Sequence, residues 1–600
     1  MSNDKLGNLD DADIEIIRDR YETERRKRLK SAGTDQYNFT EGNLAKFAED
    51  PHAGTPQPRD PRLVDIDLLV VGAGIGGIQL GATLRQNGID DFLIVDVAAD
   101  FGGTWYWNRY PGLRCDVESY IYLPFLEETG YVPTERYTRG SEILAYCQKL
   151  GHHFELYDRA LFQTKITGMI WDEASARWIV TTSRGDELRA RFVTTQSGIF
   201  SRPQLPGIPG IETFVGGTFH SARWDYDYTG GSSDGGLDKL GDKRVGIIGT
   251  GTTALQVVPE LAGAAKELTV FQRTPTAVGV RDNAPTDTDW FTSQPKGWHR
   301  QRIKSFNALS NGELVDCGVN DGWARFFRLM INSVGALPPA QLTPEAAAEA
   351  QEAADFAYNE EVRARVDDFV HDPQKSALLK AYYRTMCKRP GFSDHYLPVF
   401  DQDNVKLVDV SGGVEKITPH GMIVNGVEHE LDCLIFCTGF ELGTTWAHQA
   451  GYDVTGRDGT LLSEKWADGL LTYHGLFSKN FPNMFFMGLT QTGITINVPH
   501  MLQEQADHIT FLVKHCLDNG FRSFETTAEA EAIWQDAIGA VSEARRPFQE
   551  ACTPGYYNAE GKVDDRRSAI GSGWYMPSTH FFDMWAAWRA AGNFEGLTIE

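Results

Sequence analysis

The chain has 600 residues, 41% apolar and 23% charged, with a formal net charge of -25. That length exceeds what one hydrophobic core sustains, so two or three domains are expected. The composition is that of a globular protein, and the acidic balance excludes nucleic acid and anionic membrane surfaces as partners, because both demand a basic face.

Residues 1–64 read as an N-terminal extension. A charge-dense helix is predicted over about 11–29, its basic run Arg25 to Arg28 offset by Glu22 and Glu24, and a Pro/Gly/Asp-rich passage follows at 49–62. The first residues lack the apolar core of a signal peptide, and the apolar run 66–84 is broken by five glycines, so no membrane span and a cytoplasmic location are expected.

Residues 65–88 then give a buried strand, a glycine turn and a helix, with Gly72, Gly74 and Gly77 in the spacing of a dinucleotide-binding turn. The next strand, "FLIVD", ends in Asp96, a carboxylate suited to ribose hydroxyls. The aromatic stretch 100–122 holds Cys115 alone, which argues against a disulfide reductase. Trp105, Tyr106, Trp107 and Tyr110 there are either core or packing for a flavin ring. Segments 177–185 and 188–200 alternate like antiparallel strands.

A second strand–turn–helix unit covers 243–263, with Gly249, Gly251 and Ala254. Its partner strand runs into Arg273 and Thr274 with no acid, the arrangement for a 2'-phosphate. The Ala/Glu-rich stretch 343–370 points to a helical insertion over about 290–385, and strands return at 429–440 and 481–489 before a helix over 499–517. The eight cysteines have no CxxC or framework spacing, so free thiols and no metal site are expected. The fold class is α/β: two Rossmann-type dinucleotide-binding domains, one for FAD (65–207 with 402–600) and one for NADPH (208–401), on a flavoprotein reductase plan.

The segment "FVGGTFHSARWD" links the two units. It fits the fingerprint FxGxxxHxxxW[PD] through Phe214, Gly216, His220, Trp224 and Asp225. "GGTWYWNRYPGLRCD", ending in Asp116, and "DCLIFCTGF", with Cys437 where Ala is usual, fit two further signatures. Over roughly residues 65–510 the chain thus resembles the type I Baeyer–Villiger monooxygenases. The extension and "CTPGYYNAEG" look most like the subgroup around cyclopentadecanone monooxygenase, which takes large or polycyclic ketones.

The resemblance implies FAD contacts at Thr104, Trp105, Tyr110, Asp116 and Tyr122, and NADPH contacts at Thr250, Thr252, Arg273, Thr274, Lys388 and Arg389. Arg389, oriented by Asp116, would hold reactive oxygen in its anionic form, so that a ketone and O2 give an ester or lactone. His220 and Trp224 would steer domain rotation by positioning alone. Asn497, Pro499 and the helix near Gln503 would turn a helix N-terminus toward the flavin. Segment 572–592 either lines the substrate cavity or is core. Three alternatives remain open on sequence: an N- or S-oxygenating or N-hydroxylating flavin monooxygenase, in which Tyr or Phe generally stands at the position of Trp224; an NADPH oxidase releasing peroxide; and a non-catalytic flavin-binding sensor.

Overall fold

In the computed structural model, which describes residues 11–196, 198–575 and 577–600, the N-terminal stretch folds as helix α1 (Asp11–Arg28). It is not a loose appendage. Its Tyr21 ring is buried edge-on to Phe356 at 5.2 Å. Arg28, paired with Glu24 at 2.7 Å, donates to the Arg273 carbonyl at 2.7 Å.

Strand β1 (Leu63–Val71) passes through the first glycine turn into helix α2 (Ile75–Gln86), and strand β2 (Phe92–Val95) lies parallel to β1. Leu68 to Val70 and Phe92 to Val95 are buried, as expected of parallel strands covered on both faces. Strands β3 (Ile166–Asp172), β4 (Arg177–Thr182) and β5 (Glu187–Thr195) step back antiparallel, and β5 then pairs parallel with β1. Segment Met484–Phe486 also pairs parallel with β5.

The second sheet is parallel throughout. It comprises β6 (Gly217–His220), β7 (Arg244–Ile248), β8 (Glu267–Gln272), β9 (Val405–Asp409) and β10 (Cys433–Phe436), in the order β9-β8-β7-β10-β6. Helix α3 (Thr252–Ala264) follows its glycine turn. The division expected after residue 401 therefore does not coincide with the sheet, which takes its fourth and fifth strands from beyond it. Parallel neighbours need long crossovers, so adjacent strands of one sheet come from distant stretches of chain.

The expected insertion is helical, and its longest member is α4 (Pro344–Phe369), whose Thr343 side chain caps the Ala346 N–H. Helix α5 (Val498–Asn519) lies on α2, where Gln79 Nε2 donates to the Pro499 carbonyl at 3.0 Å. Helix α6 (Ser578–Ala591) buries Phe581, Phe582, Trp585 and Trp588, with Trp585 stacked on His508 of α5 at 4.4 Å. On these contacts that tail is core.

One cysteine expectation is corrected. Cys387 and Cys552 form a disulfide across a separation of 165 residues, which no local spacing pattern signals. Cys433 and Cys437 are buried free thiols. Among the described residues no helix is long and apolar enough to cross a membrane, and no group of three or more His, Cys, Asp or Glu is placed to hold a metal.

Candidate active site

The first glycine turn is built by close backbone approach. Gly72 sits at φ +116°, and a Cβ on Gly77 would stand 1.9 Å from the Gly72 carbonyl oxygen. A Cβ on Gly103, at φ +54°, would come within 2.5 Å of the Gly74 Cα. Asp96 accepts from the Ala73 N–H at 2.5 Å and the Ala98 N–H at 2.8 Å, while desolvation pushes its carboxyl up. The result is a backbone cradle at the N-terminus of α2 with a carboxylate beside it. Such a cradle fits a dinucleotide pyrophosphate and ribose.

The aromatic stretch continues from there. Half-buried Thr104 opens the short helix Thr104–Trp107, and Trp105 Nε1 donates to the Tyr122 hydroxyl at 3.0 Å. Tyr110 donates to Gln256 Oε1 on α3 at 3.2 Å, tying this stretch to the second unit. Asn497, just before α5, donates to the Ile121 carbonyl at 2.7 Å, and Gln503 donates to Thr83 Oγ1 at 3.1 Å. The first contact ties the start of α5 to the aromatic stretch, and the second sets it against α2.

The second turn repeats the first with one difference. Gly249, at φ +105°, would place a Cβ 2.3 Å from the Cys437 carbonyl oxygen, and buried Ala254 packs where a third glycine would stand. Beyond Gly251 nothing lies within 4 Å of its would-be Cβ, so the backbone there is open to a ligand. Thr250 Oγ1 donates to the Thr274 carbonyl at 2.7 Å, and half-buried Thr252 begins α3. The Thr274 hydroxyl is buried with no partner, an unsatisfied donor that suits a phosphate or ribose oxygen. Lys388 donates to the Pro554 carbonyl at 2.8 Å, and burial, with Arg273 nearby, brings its ammonium down to about 8. Arg273 is not free: it pairs with Glu560 at 3.2 Å.

Arg389 and Asp116, 273 residues apart, form a two-pronged ion pair. Nε and Nη2 each reach a carboxylate oxygen at 2.8 Å. The guanidinium carbon lies 5.1 Å over the Trp323 ring. Burial lowers its proton affinity, but the charge and hydrogen bonds of Asp116 outweigh that, and the group is held above its ordinary value. Nη1 takes no part in these bonds.

Two narrow recesses adjoin this pair. One is lined by Asp116 with Tyr137, Arg281, Asp321, Trp323 and Phe392; the other by Lys388 and Arg389 with Tyr358 and Tyr383. Burial raises the Asp321 carboxyl to about 6 while it caps the Ala324 N–H. Sequence reading missed Tyr137, Arg281, Asp321 and Trp323, because none belongs to a spaced motif. The one available signal was the Asp-Gly-Trp helix start.

The linker residues are structural in their contacts. Phe214 is buried, and a Cβ on Gly216 would stand 2.4 Å from the Asp432 carbonyl. Trp224 Nε1 donates to Thr229 Oγ1 at 3.0 Å, and Asp225 caps the Tyr228 N–H at 2.9 Å. Fully buried His220 accepts from the Ala222 N–H at 3.1 Å through Nδ1. Burial brings its imidazole down to about 3, so it is neutral at working pH and a poor proton carrier. Between the ordinary value of 6.5 and about 3 the unfolded chain takes a proton that the folded chain refuses, so stability falls as pH drops through that window. His220→Gln is expected to flatten the decline of Tm between about pH 7 and pH 5. Melting curves of equal slope for both proteins would show that His220 contributes nothing to it.

A family model described as pyridine nucleotide-disulphide oxidoreductase matches residues 69–288, a span holding both glycine turns. The chain is 44% identical over 592 residues to Baeyer-Villiger monooxygenase 4 from Dietzia sp. strain D5, covering 98% of this chain and 96% of that protein. Polycyclic ketone monooxygenase from the thermophilic fungus Thermothelomyces thermophila superposes with a TM-score of 0.90 at 38% identity, over 98% of this chain and 99% of that one. A complex of OTEMO with FAD and NADP superposes with a TM-score of 0.73 at 26% identity, over 90% and 100% of the two chains.

Proposed function

We propose that this chain, which belongs to the Baeyer–Villiger monooxygenase family, acts on a bulky, macrocyclic or polycyclic ketone. It is an FAD- and NADPH-dependent monooxygenase that inserts one oxygen atom of O2 beside a ketone carbonyl, giving an ester or lactone. That sets aside the N- or S-oxygenating monooxygenase and the flavin-binding sensor. When bound, NADPH supplies the hydride and FAD the two-electron and O2 chemistry.

The first sheet is the FAD domain: Gly72, Gly74 and Gly77 hold the pyrophosphate, Asp96 takes ribose hydroxyls, and Thr104, Trp105, Tyr110 and Tyr122 wall the ring. The second sheet is the NADPH domain: the turn from Gly249 through Thr250, Gly251 and Thr252 to Ala254 takes the pyrophosphate. Arg273, Thr274 and Lys388 take the adenosine 2'-phosphate. The bidentate Arg389–Asp116 pair is the observation that carries the reading. With Nε and Nη2 committed to Asp116, Nη1 is the donor that Arg389 presents to negative charge developing on oxygen. Asp116 fixes the plane of the guanidinium and keeps it cationic, and Trp323 closes one face against water. The fingerprint residues act by position, and the protein works in the cytoplasm, where NADPH is supplied.

The reading is tested by incubating holoenzyme with NADPH, O2 and ketones from small rings to macrocycles and steroids. Products one oxygen heavier than the ketone, formed best from the large rings and matched to NADPH consumed, are expected. A preference for amines or sulfides would overturn it.

A further inference from the structure

Arg273, assigned to the 2'-phosphate, already holds an anion. Glu560 pairs with Arg273 at 3.2 Å through Oε2 and accepts from the Tyr37 hydroxyl at 2.9 Å through Oε1. Arg273 Nη1 in turn donates to the Tyr37 oxygen at 3.2 Å and to Gln36 Oε1 at 3.4 Å. The side chain of Glu560 is only 7% exposed and that of Arg273 28%, so the carboxylate end of the pair is desolvated.

Two further observations bear on how firmly that carboxylate is held. Ala559 and Glu560 are consecutive non-glycine residues in the left-handed region, at φ +47° and +57°. That backbone is costly for L side chains and persists only while its surroundings enforce it. The segment carrying Glu560 is also anchored eight positions upstream (560 minus 552) by the Cys387–Cys552 disulfide, which abuts Lys388. A carboxylate that lets go of Arg273 therefore stays within reach of it.

We propose that Glu560 sets the cofactor preference of this enzyme by occupying, on Arg273, the position of the adenosine 2'-phosphate. This rests on the reading of Arg273 as the phosphate-binding residue. A carboxylate and a phosphate on one guanidinium repel each other, so the phosphate binds only when Glu560 withdraws. A cofactor with a free 2'-hydroxyl leaves Glu560 in place and offers it a hydrogen bond. Wild-type enzyme thus discriminates less between NADPH and NADH than Arg273 alone dictates. The N-terminal extension takes part, because Tyr37 holds the carboxylate.

Oxidised FAD-loaded holoenzyme is titrated calorimetrically with 2',5'-ADP and with 5'-AMP, probes that differ in the 2'-phosphate. Glu560→Gln is expected to bind 2',5'-ADP about tenfold more tightly with 5'-AMP changed by less than about twofold, and Tyr37→Phe to move the same ratio the same way by a smaller factor. Arg273→Ala should bring the two probes close to equal affinity. If Arg273→Ala does so but Glu560→Gln weakens 2',5'-ADP or leaves the ratio unchanged, Glu560 orients the arginine and does not compete, and the proposal falls while the assignment of Arg273 stands. If Arg273→Ala leaves the ratio unchanged, the phosphate assignment itself is wrong, and the proposal falls with it.

Discussion

Arg389→Ala is expected to yield a yellow protein that NADPH still bleaches and that makes no ester. Ester formation should drop by about 10²–10³-fold or more, the usual cost of removing one preorganised charge at a developing anion. The electrons should appear instead as hydrogen peroxide, so NADPH oxidation continues without product. Removing Arg389 also leaves the Asp116 carboxylate, 8% exposed, without its partner. A stranded buried charge costs about 3–5 kcal/mol, so melting and flavin content must be read beside activity. The double variant Arg389→Ala/Asp116→Asn separates the two effects: it should recover the melt and stay inactive toward ketones. Arg389→Lys keeps a charge but loses the fork to Asp116, and is expected to fall between. Ester made at a wild-type rate by folded, flavin-loaded Arg389→Ala would remove Arg389 from the chemistry.

Gly77→Ala is expected to abolish FAD binding. The added Cβ would lie 1.9 Å from the Gly72 carbonyl oxygen, and since the backbone fixes the one and contains the other, no rotamer change relieves the clash. Helix α2 must then lift off β1, and the backbone cradle opens. The measurement is the ratio of flavin to protein absorbance after purification, expected near zero, with the melt showing what fold remains. Gly251→Ala is the matched contrast in the second unit. Nothing lies within 4 Å of its added methyl, so the chain should fold and keep FAD while binding NADPH about tenfold or more weakly, because the methyl stands where the pyrophosphate approaches. Gly77→Ala protein that stays fully yellow would show that the first turn does not hold the pyrophosphate.

Much of this was legible in residue order because its causes are local. Gly72 and Gly249 need φ values that other residues resist, and each follows a continuous apolar run that reads as a covered parallel strand. Helix α1 was predicted over about 11–29 and ends at Arg28, since its period and charge pairs are set within a few turns. The linker was visible as a motif, but the neutral, capped and packed state of its residues was not. A sequence does not show that His220 is walled off from solvent.

What residue order left open was which distant parts meet. The second sheet recruits β9 and β10 from past residue 401 because parallel neighbours are joined by long crossovers, and nothing in those strands names their partners. Cys387 finds Cys552, and Arg273 finds Glu560 and Tyr37 from opposite ends of the chain, through packing of the extension and the C-terminal segment on the second unit. Residue order alone specifies the two glycine turns and the cationic residue at 389, since backbone conformation and side-chain charge are properties of a few adjacent residues. The clamp of Asp116 on Arg389 and the occupation of Arg273 by Glu560 arise only on folding, because a contact across hundreds of residues depends on how whole elements pack.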